Sequence, residues 1–192
     1  MSQEEIKGFF IEASCLIKEC AAMNAAVIES VAAQMIDCFE QGRKVLLCGN
    51  GGSASQAQHF AAELVNKLSR YRRALSAVSL TTDTSVLTSI GNDLSFDMIF
   101  ARQVEALGSP GDIVWGLSTS GASANVLEAF RVARDAGLTT IAFVGAAGSA
   151  IEELADVTLT VPARDTARIQ EVHLCSGHAV CAEIEAYYLK QA

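Results

Sequence analysis

The sequence predicts an α/β fold: a five-stranded parallel sheet flanked by helices on both faces, behind an N-terminal helical extension. Three observations predict it. After residue 42, apolar runs alternate with helical patterns along the chain. The runs are continuous rather than alternating in polarity, which marks strands covered on both faces, as in parallel sheets. Two of these runs end in loops of glycine and small hydroxyl residues, each of which opens a helix.

Residues 3–41 read as helical. Ile6, Phe9, Phe10, Ala13 and Ile17 keep a helical period, and so do Ile28, Val31, Ala32, Met35 and Ile36. Gly42 supplies the stop. Strand-like runs follow near 44–48, 75–80, 112–117, 139–144 and 157–161. Helical patterns fall near 53–69, 84–91, 95–107, 122–136 and 167–190, and Pro110 and Pro162 stand between elements. The apolar content of 3–41 exceeds what a sheet already covered by later helices needs, so this segment is expected to pack against another subunit. The organisation is thus a helical segment over 1–42 for oligomerisation and a ligand-binding unit over 43–192, one domain overall.

At 192 residues and 51% hydrophobic content, the chain can bury a real core, which excludes disorder. A net charge of -8 argues against a non-specific nucleic-acid binder, which needs a basic face, and no direct nucleic-acid binding is expected. No apolar run reaches the roughly 18–20 residues of a membrane span. The opening Met1-Ser2-Gln3-Glu4-Glu5 is acidic, unlike a secretory signal. The six cysteines show no paired C-x-x-C spacing, so they read as reduced thiols of a cytoplasmic protein.

The first loop is Gly49-Asn50-Gly51-Gly52-Ser53-Ala54-Ser55, after Val45-Leu46-Leu47-Cys48. The second is Ser118-Thr119-Ser120-Gly121-Ala122-Ser123, after Ile113-Val114-Trp115-Gly116-Leu117. A strand that ends this way presents free backbone N–H groups, hydroxyls and the positive end of a helix dipole to one point. Two such loops point to a phosphorylated small molecule beyond the carboxyl ends of the strands. The hydroxyls at 118, 119, 120 and 123 are too many for one helix cap. The first loop is neither a Walker motif nor a dinucleotide fingerprint, and no nucleotide cofactor is expected. Asn92 and Asp93, after Gly91, are a further candidate for sugar hydroxyls; a helix cap plus turn is the plainer reading.

The three histidines fall on two helical segments. His59 and Glu63 are spaced i,i+4 and share a face, although such a pair can also be a plain helix contact. Gln170 and His178 are two turns apart on the last helix, while His173 need not point with His178. These faces could make a four-ligand cluster for a divalent metal such as zinc, or an acid–base pair without metal.

These motifs, taken in order, resemble the sugar isomerase (SIS) domain proteins, and most closely the bacterial phosphoheptose isomerases. The resemblance covers nearly the whole chain. It rests on Cys48-Gly49-Asn50-Gly51-Gly52-Ser53, His59-Phe60-Ala61-Ala62-Glu63-Leu64, Gly91-Asn92-Asp93, Ser118 to Val126, and Arg168-Ile169-Gln170-Glu171-Val172-His173 with His178. It implies a flavodoxin-like three-layer sandwich and a homotetramer. It also implies conversion of sedoheptulose 7-phosphate to D-glycero-D-manno-heptose 7-phosphate, the first step toward activated heptose for lipopolysaccharide or other surface glycans. By resemblance, the second loop holds the phosphate, Glu63 and His178 act as acid and base, and His59, Glu63, Gln170 and His178 match a zinc-binding set. Substrate contacts are implied for Asn50, Gly51, Gly52, Ser53, Asn92, Asp93, Ser118, Thr119, Ser120, Ser123 and Gln170.

The alternative is a non-enzymatic relative that binds the replication initiator DnaA, or a sugar-phosphate sensor. The DnaA-binding relatives lack the Glu and the terminal-helix His that this chain keeps, which favours the enzyme. Lys67 stands where the family pattern carries Arg, which keeps the charge and loses the bidentate fork. The segment 83–88 and the stretch Gly145-Ala146-Ala147-Gly148 also differ from the common isomerase forms.

Overall fold

A computed structural model describes residues 1–145 and 148–191; Ala146 and Ala147 of the divergent stretch lie outside the described residues. Helix α1 runs Gln3–Glu40. Its start is a capping box, in which the Ser2 hydroxyl accepts from the Glu5 N–H and the Glu5 carboxylate accepts from the Ser2 N–H. Then follow β1 (Val45–Gly49), α2 (Gly52–Val65), β2 (Ala77–Ser79), α3 (Thr84–Asp93), α4 (Ala101–Leu107) and β3 (Ile113–Ser118). The remaining elements are α5 (Ala124–Asp135), β4 (Thr139–Val144), β5 (Val157–Thr160) and α6 (Thr166–Lys190).

All five strands are parallel, in the order β2-β1-β3-β4-β5. Successive strand residues feed opposite cores, as the pleat requires. Leu47, Trp115, Ile141 and Phe143 meet Met35, Phe60, Leu64 and Ile184 from α1, α2 and α6. Leu46, Val114, Ala142 and Val144 meet Phe100, Val104, Val126 and Phe130 on the other face. The continuous apolar runs of β1 and β3 are therefore buried along their whole length, as expected of central parallel strands.

Three details differ from the sequence expectations. The second half of α1 belongs to the core, with Val31, Ala32 and Met35 fully buried, because α2 and α6 alone leave part of their sheet face open. The exposed apolar surface is concentrated in its first turns, where Phe10 is 70% and Ile11 62% exposed, whereas Leu16, Ile17 and Cys20 already pack on the core. Helix α2 stops at Val65 rather than near 69, because a long-range contact captures the chain beyond it. The buried Glu185 carboxylate of α6 accepts from the N–H groups of Leu68, Ser69 and Arg70 at 2.9–3.2 Å. Over 95–107 the chain forms a single 3₁₀ turn (Phe96–Met98) before α4 instead of one helix.

Candidate active site

Strand β1 lies between β2 and β3, so the chain leaves β1 toward one edge and returns to begin β3 on its other side. Gly49 pairs with Leu117 at the ends of these neighbouring strands, and the helices that follow go to opposite faces of the sheet. This is the topological switch point, where open α/β sheets bind ligands. Both loops predicted from sequence meet there.

Between them is a cleft of about 290 Å³. The first loop contributes Asn50, Gly51, Gly52 and Ser53, and the second Ser118, Thr119 and Ser123. Gly51 takes a positive φ of 54°, and the Ser53 N–H donates to the Asn50 carbonyl at 2.9 Å, which closes the turn into α2. In the second loop, the Ser118 and Ser123 hydroxyls are 2.9 Å apart, and the Ala122 N–H donates to the Ser120 hydroxyl. Ser120 is thus a brace for the turn and does not line the cleft itself. The helix that follows begins at Ala124, with Ser123 as its N-cap, two residues later than the sequence pattern places it.

Two lining residues come from α6: Thr166, in its first turn, and Gln170. The starts of α2, α5 and α6 therefore converge on the cleft. Each brings backbone N–H groups and partial positive charge, and at α6 the Asp165 carboxylate takes one of these N–H groups, that of Arg168. No lysine or arginine lines the cleft among the described residues. The two loops are tied to each other by a reciprocal amide pair, Asn50 with the buried Asn125, both hydrogen bonds at 2.9 Å. Thr166 and Asn125 were not singled out by sequence reasoning. Their signals were present: Thr166 follows the N-cap Asp165, and Asn125 closes the second loop motif.

The second part of the site lies further along the same two helices. His59 Nε2 and His178 Nε2 are 2.8 Å apart. Both face Glu63 Oε1, at 3.1 and 3.4 Å. The other oxygen, Glu63 Oε2, is buried without a hydrogen-bond partner. Two imidazole nitrogens and one carboxylate oxygen thus converge on one point, all within 4.8 Å of one another. They can share a proton or hold a divalent cation, since this donor set suits either.

The close approach of α2 and α6 has a specific cause. Gly177, just before His178, has no Cβ, and the Phe60 ring occupies the space a Cβ would need, at 2.1–2.6 Å. Phe60 is in turn stacked on Trp115 of β3, with ring centroids 4.9 Å apart and planes 8° from parallel. A flat aromatic pair and a missing methyl set the distance between the helices, and so bring His59 to His178.

The remaining predicted residues lie elsewhere. Gln170, the fourth member of the metal set, turns its amide to Gly52, with Nε2 and Oε1 at 2.6 and 2.7 Å from where a Cβ on residue 52 would stand. Asn92 and Asp93 are exposed at the end of α3, where the Asn92 amide donates to the Asp93 carboxylate, and they do not reach the cleft. Lys67 places its ammonium 4.1 Å from the centre of the Tyr71 ring, on the loop after α2. His173 is a core residue: it is fully buried and its Nε2–H donates to the Val144 carbonyl at 3.1 Å. Burial pushes its imidazole down to about 4, against the hydrogen bond to Val144, which favours the charged form.

Comparison with known proteins agrees with this geometry. The SIS domain family matches residues 8–145. A phosphoheptose isomerase from Roseiflexus sp. (strain RS-1) is 51% identical over 176 residues, covering 91% of this chain and 89% of the relative. The structure of phosphoheptose isomerase from Neisseria gonorrhoeae superimposes with a TM-score of 0.91 at 44% identity, over 96% of this chain and 98% of that one. The corresponding structure from Francisella tularensis gives 0.93 at 38% identity, over 97% and 99%. With this identity over nearly the full length, and with the switch-point cleft and the His/Glu/His cluster in place, the chain belongs to the phosphoheptose isomerase family of SIS-domain proteins.

Proposed function

We propose that the chain is a ketose–aldose isomerase that converts sedoheptulose 7-phosphate to D-glycero-D-manno-heptose 7-phosphate, the first step toward activated heptose for lipopolysaccharide or other surface glycans. The observation that carries this reading is the separation of the two ends of the site along one pair of helices. Gly52 belongs to the anion end and His59 to the cluster, seven residues on, so the ends are about 10 Å apart at 1.5 Å per residue. An extended carbon chain advances about 1.3 Å per bond, so C1 of a seven-carbon sugar lies about 8 Å from C7, and the phosphate ester spans the rest. The phosphate then sits among the N-termini of α2, α5 and α6 while C1 and C2 reach the cluster.

Isomerisation moves one proton between carbons and another between oxygens. One group removes a proton from C1 while the C2 carbonyl oxygen is protonated, which gives the enediol. Return of a proton to C2, with loss of the C1 hydroxyl proton, leaves the aldehyde at C1. Glu63 and His178 are the acid–base pair in this reading. The placement of His178 Nε2 3.4 Å from Glu63 Oε1 supports it, because a carboxylate and an imidazole side by side can serve as acid and base. His59 lies against both and keeps the carboxylate oriented.

His59, Glu63 and His178, with Gln170 as the fourth ligand once its amide turns from Gly52, would hold a divalent cation such as zinc, which would polarise the substrate carbonyl when bound. The same proposal includes a homotetramer assembled through residues 1–42, with 43–192 as the sugar-phosphate-binding part. The exposed Phe9, Phe10 and Ile11 of α1 support it, since monomers rarely leave such patches in water. Among the described residues no helix is long and apolar enough to cross a membrane, and all six cysteines are free, which supports a cytoplasmic setting.

An NMR assay with sedoheptulose 7-phosphate tests the activity directly. Glu63→Gln and His178→Gln should each lose turnover by about a hundredfold or more while the fold is kept. Normal turnover in both variants would remove the acid–base assignment, and no product from the wild-type protein would remove the function.

A further inference from the structure

We infer that Gln56 is a positioning residue for the anion end of the site: its side-chain amide ties the start of α6 to α2 and so holds Gln170 and Thr166 at the cleft. The inference rests on the anion assignment proposed above. Gln56 lies one turn after Gly52 and just under one turn before His59, on the stripe of α2 that faces α6. It does not line the cleft. Its Nε2 donates to the Gln170 backbone carbonyl at 2.7 Å. That carbonyl lies inside α6, within reach of the helix's own i→i+4 ladder, so the added bond is a link between the two helices.

Three further observations show what the link controls. The Gln56 Oε1 is buried and has no partner, so the amide is oriented by this one contact. The Gln170 side chain rests directly over Gly52, which leaves the room of a missing Cβ for it. Thr166, one turn before Gln170, lines the same cleft. Among the described residues, Gln56 makes the only hydrogen bond from α2 to the first two turns of α6; the next tie is the His59–His178 contact beside Gly177. Without Gln56, the α2-facing side of these turns loses its hydrogen bond to α2 and can shift against it, while Ile169, Val172 and the His173–Val144 bond keep α6 packed on the sheet. The Gln170 amide and Thr166 then leave the anion, while the cluster keeps its own packing on Phe60 and Gly177.

The test is steady-state kinetics of wild type, Gln56→Leu and Gln56→Met with sedoheptulose 7-phosphate, with inorganic phosphate as competitor. Leucine removes the donor and keeps bulk; methionine keeps the unbranched chain length and lacks the N–H, and neither adds charge beside the anion. KM and the phosphate inhibition constant should rise together about five- to tenfold, the worth of one net hydrogen bond, with kcat changed less than about threefold. A merely structural role would lower the melting temperature and leave KM and the inhibition constant at wild-type values, and that result overturns the inference. If the leucine variant fails to fold, the methionine variant carries the measurement. Calorimetry with inorganic phosphate separates this inference from the proposed substrate. A wild-type protein that binds phosphate without isomerising the heptulose sinks the substrate, and weakened phosphate binding in the variants still supports Gln56. Wild-type turnover with unchanged variants sinks Gln56 alone.

Discussion

Replacing Gly177 by alanine should damage catalysis far more than stability. The added methyl would stand 2.1, 2.4 and 2.6 Å from three carbons of the Phe60 ring. Carbon atoms pack at about 3.5–4.0 Å, so something must yield by more than about 1 Å. The ring cannot retreat, because Trp115 is stacked behind it and is itself fully buried. The helices must therefore part. Overpacking of this kind costs about 1–3 kcal/mol, and alanine recovers about 1 kcal/mol of helix propensity over glycine, which leaves a net loss of about 0–2 kcal/mol. His178 is the next residue and moves with the backbone, away from His59 and Glu63. A displacement of about 1 Å between reacting groups is worth about a hundredfold in rate. The assay is kcat and thermal melting of Gly177→Ala beside the double variant Gly177→Ala/Phe60→Leu, which removes the obstructing ring. The double variant should regain part of the lost kcat. A single variant with wild-type kcat would refute the reasoning, and so would a double variant no faster than the single one.

Other expectations follow from the same contacts. His173 is held neutral in the fold, with its pKa lowered from 6.5 to about 4, whereas the unfolded chain takes up the proton from about 6.5 downward. Its contribution is thus complete above about pH 6.5 and is lost as pH falls toward 4, by up to about 3 kcal/mol; His173→Leu should flatten denaturant-derived stability between pH 6.5 and 5 relative to wild type. Ser118→Ala or Ser123→Ala should weaken phosphate binding by only about 1–2 kcal/mol each, read by calorimetry, because backbone donors remain. Glu185→Ala should leave the N–H groups of Leu68, Ser69 and Arg70 without their carboxylate, cost about 1–3 kcal/mol, and open 67–73 to proteolysis before the rest of the chain. Dialysis against a chelator should lower the melting temperature if the His59–Glu63–His178 cluster holds a cation, and added zinc should restore it; an unchanged melt argues for a cluster that works with protons alone.

The two-loop cleft was legible in the sequence because its signals are local. An apolar strand, a glycine turn and a hydroxyl at a helix start are consecutive residues, and the sheet topology makes the two loops neighbours without further help. Spacing alone put His59 and Glu63 on one face, and Gln170 with His178 on another. It could not say whether these faces meet, since that depends on Phe60 reaching Gly177 across more than a hundred residues. For the same reason the end of α2 was misplaced: a helical pattern runs past Val65, and the carboxylate that captures residues 68–70 comes from the far end of the chain. The role of His173 was undecidable from its spacing and is settled by its burial at the end of β4.

If the cleft of converging helix starts holds the phosphate as proposed, its lining offers main-chain donors and hydroxyls and, among the described residues, no basic side chain. Main-chain dipoles do not titrate. The lower pH limit of recognition then belongs to the ligand, whose phosphate passes from dianion to monoanion near its second pKa of about 6. A related consequence concerns heredity. In that arrangement the donors at the helix starts are peptide groups rather than basic side chains, so no single codon encodes them. Substitutions in the loops can tune the hydroxyls or block the space, whereas losing the charge itself requires unwinding a helix.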